Sequence, residues 1–108
     1  MADYHKVEAV IRNEKLEEVK FMLMKNGFLG MTVTKAEGIG EKKGIYKEDF
    51  ERLLPRARLE IIVTSEPQAV YVRDLIAESA KTGNLGDGIV YYYKINDVTQ
   101  IRTGKPYP

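Results

Sequence analysis

A chain of 108 residues with 44% hydrophobic and 31% charged residues is long enough for one domain with its own core and too apolar to be disordered. A net charge of +1 gives no bulk attraction to nucleic acid or anionic lipid, and the lack of cysteine excludes disulfides, thiolate metal sites and cysteine nucleophiles. With no apolar run of membrane-spanning length and no signal peptide at the start, a cytoplasmic protein is expected.

His5 to Ile11, HKVEAVI, places Val7, Ala9 and Ile11 on one face and predicts a half-buried strand. His5, the one histidine, is expected on the surface at the strand's start, which argues against a catalytic role. Asn13 then precedes EKLEEVKFMLMKNG. It is a favourable N-cap, Glu14, Glu17 and Glu18 lie in the early turns, and Gly27 closes the run. Leu16, Val19, Met22 and Leu23 fall at helical spacing, and the methionines read as core filler rather than a soft metal site.

GMTVTKAEG predicts a second strand, with Met31 and Val33 on one face and Thr32 and Thr34 on the other. From Gly38 to Pro55 the pattern dissolves into GIGEKKGIYKEDFERLLP. Its glycines and mixed charges predict an exposed loop, with one or two helical turns in KEDFERLL. A connection this long in a compact domain is usually functional.

RARLEIIV is a third strand. Ser65 is an N-cap and Pro67 a first-turn residue for the helix PQAVYVRDLIAESAK, with Val72, Leu75, Ile76 and Ser79 or Ala80 as its buried stripe. TGNLGDGIV follows, with three glycines and an aspartate between Thr82 and Gly88. One reading is a helix C-cap at Gly83 and a tight turn at Asp87–Gly88; another is a cradle of backbone N–H groups around a phosphate. The loop alone leaves both open. IVYYYKI is a fourth strand, and NDVTQIRTGKPYP adds one short strand.

The order β-α-β-β-α-β, with right-handed crossovers, predicts a ferredoxin-like α+β sandwich with both helices on one sheet face. The other face is bare and carries Val10, Thr32, Glu60 and some of Tyr91 to Tyr93, which invites oligomerisation or ligand binding.

Four segments in order, GMTVTKAEGIGEKKG, a loop ending LLPRARLEI, TGNLGDG and IRTG, resemble the PII signal-transduction family over essentially the whole chain. The resemblance implies a single domain, residues 1–108, in a non-catalytic signalling homotrimer that packs its bare sheet faces together. It implies an adenine nucleotide, ATP or ADP with AMP as a further candidate, in each of three clefts between subunits. A T-loop at about residues 39–54 would dock on a protein target, a transporter or a metabolic enzyme. A B-loop at residues 82–88 would wrap the phosphates, and the C-terminal segment, residues 96–108, would reach in from the neighbouring subunit.

Carried over position by position, the resemblance assigns nucleotide contacts to Thr32, Gly38, Gly40, Glu60, Ile62, Gly86, Asp87, Gly88 and Arg102. Lys42, Lys43 and Arg56 are further candidates for phosphate or effector contact. Glycine N–H groups and a fixed guanidinium can together hold a diphosphate. The chain also departs from the family pattern. Ile89 replaces a lysine, Gln100 the first arginine of an Arg-x-Arg pair, and Glu41 an arginine, while Lys42 stands where a glutamine helps bind Mg²⁺ and 2-oxoglutarate. The loop is shorter and lacks the Tyr-Arg-Gly stretch at which some relatives are uridylylated, and Tyr46 reads as an ordinary solvent-edge aromatic. These departures imply a sensor of energy state rather than of 2-oxoglutarate, with no resident cofactor or metal and with Mg²⁺ left open.

Two other readings share the fold. A small ferredoxin-like enzyme lacks support, since there is no Ser-His-Asp set, HExxH motif or Walker loop, and Glu17–Glu18 and Glu48–Asp49 read as solvated faces. An RNA-binding module would use the tyrosines of VYYYKI, but the basic-aromatic stretch that stacks bases is missing. Neither nucleic acid nor direct membrane insertion is expected.

Overall fold

The computed structural model describes residues 3–38 and 54–107. Strand β1 (His5–Arg12) buries its odd-numbered residues and leaves the even-numbered ones half-buried, as an alternating pattern requires. His5 belongs to the buried set, contrary to the surface position expected, and is only 5% exposed. It shares a face with Val7, meets the Tyr92 ring edge-on at 5.8 Å and hydrogen-bonds the Asp3 carbonyl through Nδ1 at 2.9 Å.

Asn13 does not cap a helix. Asn13–Lys15 forms a 3-10 turn without a side-chain cap bond, and the Leu16 N–H donates to the Asn13 carbonyl at the start of α1 (Leu16–Lys25). The tight turn satisfies an early N–H group directly, so the capping side chain is not needed. At the other end the Asn26 side chain donates to the Met22 carbonyl at 2.7 Å, and Gly27 takes φ 90° as the chain leaves the helix.

β2 (Met31–Gly38) pairs antiparallel with β3 (Leu54–Val63). β3 starts two residues earlier than RARLEIIV suggested, so Leu54 belongs to the strand rather than to the connecting loop. Pro55 is tolerated in an inner strand because β1 pairs no further along it than Arg56. Of KEDFERLL, only Leu54 lies within the described residues.

The second helix, α2 (Glu66–Ala80), starts as expected: the Ser65 hydroxyl accepts from the Gln68 N–H and Pro67 sits in the first turn. Its end differs. Lys81 is already extended, so Gly83 (φ +86°) is a loop residue and not the cap. β4 (Gly88–Lys94) follows, and the tail forms two short strands, β5 (Thr99–Gln100) and β6 (Lys105–Pro106), where one was expected. These make a hairpin closed by the Gly104 N–H on the Gln100 carbonyl, and the Tyr4 hydroxyl donates to the Tyr107 carbonyl to hold the tail against β1.

The main sheet has the order β2-β3-β1-β4, and β1 is antiparallel to both of its neighbours. Val7, Ala9, Ile11, Leu59, Ile61 and Val63 from one sheet face meet Val19, Leu23, Ala69, Val72, Ile76 and Ala80 from the two helices. This is the ferredoxin-like α+β sandwich. No helix among the described residues is long and apolar enough to cross a membrane.

Among the described residues, no helix or second sheet covers the opposite face. Register aligns Thr32, Glu60, Glu8 and Tyr91 in one row across all four strands. Lys6 Nζ lies 3.1 Å from Glu8 and 3.2 Å from Glu60, while the Tyr91 and Tyr93 hydroxyls both donate to Glu8. The Tyr91 bond leads in lowering the Glu8 pKa from an ordinary 4.5 to about 2, with Tyr93 and Lys6 acting in the same direction against desolvation. A carboxylate held below its unfolded value stabilises the fold above that value and loses the contribution as pH falls through the folded one. Stability is therefore expected to decline between about pH 4.5 and about pH 2. Thermal melts of Glu8→Gln should show a shallower decline over that window than the parent, and parallel curves would remove Glu8 from the account.

Candidate functional site

The registers of β1 with its two neighbours determine what meets at one end of the sheet. Arg12 lies opposite Arg56 on β3, and Ile11 lies opposite Gly88 on β4. The glycine loop that leads into β4 is thereby brought over the ends of β1 and β3, where two arginines stand side by side. Like charges directly opposite each other in a sheet are unfavourable. Arg56 is only 6% exposed, which raises that cost. Among the described residues, the ion pairs at this end engage Arg12 alone, with Asp87 at 3.0 Å and Glu14 at 4.0 Å.

Asp87 is the hub of the loop. Its carboxylate accepts from the Thr82 hydroxyl, from the N–H groups of Thr82 (2.8 Å) and Gly83 (2.9 Å), and from Arg12 Nε (3.0 Å). The Thr82 hydroxyl and N–H, followed by Arg12 and Gly83, hold this carboxyl well below the usual carboxylate range. Arg12 Nη2 also donates to the Leu85 carbonyl at 2.8 Å. The turn falls at Leu85–Gly86 rather than at Asp87–Gly88, since Gly88 already pairs with β1.

Gly86 has φ +97°, and a Cβ built on it would lie 3.3 Å from Arg12 Nη2 and 3.5 Å from Arg56 Nη2. The turn thus presents bare backbone to two guanidiniums. Backbone at positive φ beside a buried guanidinium, Arg56, is a place where a phosphate or carboxylate can sit. Gly88 has a different reason to be glycine: a Cβ there would lie 1.9 Å from the Val10 carbonyl oxygen.

The expected site residues fall into separate groups on one chain. Gly86, Asp87 and Arg56 converge. Thr32 and Glu60 stand opposite each other on the open face, with Ile62 two residues further along β3 and half-buried. Four residues of strand, roughly 13 Å, separate Arg56 from Glu60. Gly38 is the last residue of β2, opposite Leu54. Gly40, Lys42 and Lys43 lie outside the described residues, as do Glu41 and Tyr46. Arg102 is exposed on the turn between β5 and β6. No contact between it and the glycine loop is found among the described residues. Ile89 is 63% exposed on the open face opposite Val10.

An apolar cavity of about 160 Å³ lies behind the loop, lined by Ile11, Ile76, Ala80 and Val90, with Lys81 and Asp87 among its lining residues. Its walls suit no anion, so the arginine side of the loop is the chemically competent one. Among the described residues, no group of three or more His, Asp or Glu side chains could hold a metal ion. Arg12 was not recognisable from sequence as part of the site, because its partner Asp87 is 75 residues away and only the strand register joins them.

The family model for nitrogen regulatory protein P-II matches residues 4–105. The chain belongs to the PII family. Nitrogen regulatory protein P-II 1 of Methanothermobacter thermautotrophicus is 41% identical over 111 residues, covering 97% of this chain and 95% of that one. Nitrogen regulatory protein P-II of Pasteurella multocida is 40% identical over 105 residues, covering 93% of each. Among solved structures, Arabidopsis thaliana PII bound to citrate superposes with a TM-score of 0.79 at 32% identity, over 96% of this chain and 88% of that one. As a PII protein the chain is a non-catalytic signalling protein of nitrogen regulation, not an enzyme.

Proposed function

We propose that this PII protein is a cytoplasmic homotrimer that binds an adenine nucleotide in clefts between subunits. ATP and ADP are the main ligands and AMP a further candidate. The occupied state would be reported to a transporter or metabolic enzyme through residues 39–54. The observation that carries the reading is the convergence of Arg12 and Arg56 on Gly86. Arg12 is paired with Asp87 and Glu14, whereas no ion pair among the described residues engages the neighbouring Arg56, whose charge a di- or triphosphate would neutralise. The Arabidopsis protein of similar fold is bound to citrate, also a polyanion.

The division of the expected site residues into two groups supports a cleft shared by two chains. The phosphate end would come from Gly86, Asp87, Gly88 and Arg56. Thr32, Glu60 and Ile62 would face the base, and Arg102 would arrive from a neighbour's exposed turn. Gly38, Gly40, Lys42 and Lys43 keep their proposed places beside the ligand. The RNA reading is disfavoured by the open face itself. Glu8 and Glu60 occupy its centre and the Tyr91 and Tyr93 hydroxyls are tied to Glu8, so bases and phosphates would meet carboxylates.

The proposed preference is for energy state. Ile89 cannot neutralise an anion, Gln100 carries no charge, Glu41 stands in place of an arginine, and Lys42 supplies no glutamine for Mg²⁺ and 2-oxoglutarate. On this reading the protein needs no resident cofactor, and the titrations that follow read whether Mg²⁺ takes part. Calorimetric titration with each nucleotide, alone and with Mg²⁺ and saturating 2-oxoglutarate, tests this. ATP and ADP are expected to bind within about tenfold of each other, roughly 1.4 kcal/mol, with no heat from 2-oxoglutarate. A larger preference for ATP, or 2-oxoglutarate binding with ATP and Mg²⁺, would overturn the energy-state reading.

A further inference from the structure

We propose that Arg12 is a positioning residue for the glycine loop, acting as a fork that holds the loop in its binding shape, while Arg56 supplies charge to the ligand. The inference rests on the nucleotide reading for its functional consequence but on loop geometry for its substance.

A planar guanidinium has five N–H donors in fixed directions. In Arg12 these directions are largely committed. Nε donates to Asp87 Oδ1 at 3.0 Å, Nη2 donates to the Leu85 carbonyl at 2.8 Å, and Nη1 faces Glu14 Oε1 at 4.0 Å. The two short bonds clamp the loop on either side of Gly86, one on the residue before it and one on the residue after it. Asp87 in turn holds Thr82 and Gly83 through their N–H groups. A chain of contacts therefore runs from the end of β1 through Arg12 and Asp87 to the loop's first residues. Gly83, Gly86 and Gly88 all have positive φ, a backbone with little stiffness of its own. A loop of this composition needs an external clamp to keep one shape, and preorganisation lowers the ordering cost of binding.

A point charge cannot replace the fork. A lysine at position 12 keeps the positive charge, but its single ammonium sits on a flexible stem and does not reproduce two divergent bonds held in one plane. Arg12→Lys therefore separates the two roles that Arg12 could have, electrostatic attraction of an anion and mechanical hold on the loop.

The test uses ligand-free full-length protein and amide hydrogen exchange at Thr82 and Gly83, followed by ADP titration. Arg12→Lys and Arg12→Gln are each expected to speed exchange at both amides by about tenfold or more and to weaken ADP binding by a similar factor. Asp87→Asn reaches the same ion pair from the other side and should speed exchange likewise. Arg56→Gln should weaken ADP binding and leave exchange unchanged. Unchanged exchange in both Arg12 variants, or an Arg12→Lys protein that matches the parent in exchange and affinity, overturns the positioning role. If the parent itself fails to bind ADP, the nucleotide reading falls, and the exchange rates still decide the role of Arg12.

Discussion

Replacing Gly88 with alanine is expected to lower stability by about 3 kcal/mol or more, whether or not any ligand is present. Two costs combine. Gly88 has φ +105°, where an L side chain is strained by about 1–3 kcal/mol. The added Cβ would also lie 1.9 Å from the Val10 carbonyl oxygen and 3.2 Å from the Ile11 Cα, both backbone atoms of the central strand. Forcing atoms into packed structure costs about 1–3 kcal/mol more. In a domain of this size about 1 kcal/mol corresponds to about 4–8 °C in Tm, so a loss of more than about 10 °C is expected in thermal melts. Gly27→Ala is the matched control: φ is +90° but nothing lies within 4 Å of the added atom. It should carry the backbone strain alone and melt measurably higher than Gly88→Ala. Equal melting temperatures for the two variants would mean that close packing on β1 is not why Gly88 is glycine.

Arg56→Gln and Arg102→Ala are each expected to weaken nucleotide binding by about one to two decades, the equivalent of a charge-assisted hydrogen bond worth about 1.5–3 kcal/mol. The reasons for their effect on the ligand-free protein differ. Arg56 is buried beside Arg12, so removing its charge relieves a like-charge pair, and the ligand-free protein should melt no lower than the parent. Arg102 is exposed on a turn, and its removal should leave the melting temperature unchanged. Gly86→Val should also lose binding, because its side chain would enter the space between the two guanidiniums and the ligand. Calorimetry with ADP alongside thermal melts reads all three. Undiminished binding in Arg56→Gln and Gly86→Val would remove the arginine side of the loop as the anion site.

Much of the fold was legible in the sequence because the strands alternate cleanly. The pattern of β1, the threonines of β2 and the stripe of α2 each translate directly into a face. The same alternation, continued one step back from Val7, already places His5 inside, although a lone histidine at a strand start suggests solvent. Asn13 and Gly83 do not cap a helix for a related reason: a residue type favourable for a cap is also favourable in a tight turn, and tertiary geometry chooses between them. The glycine loop was visible as composition, but its chemistry was not. Arg12, Arg56 and Gly86 meet only through the pairing of β1 with β3 and β4, and residues 44 and 30 apart along the chain leave no local signal. Tyr91 and Tyr93 pointing to the open face, with Tyr92 turned to the core, likewise follows from register alone.

Whether the nucleotide cleft exists only between subunits is decided by sedimentation equilibrium combined with ADP titration on the same preparation. A particle three times the mass of the 12.3 kDa chain, binding one ADP per chain, is expected. A particle of one or two chains, or a trimer that takes up neither ADP nor ATP, would contradict such a cleft.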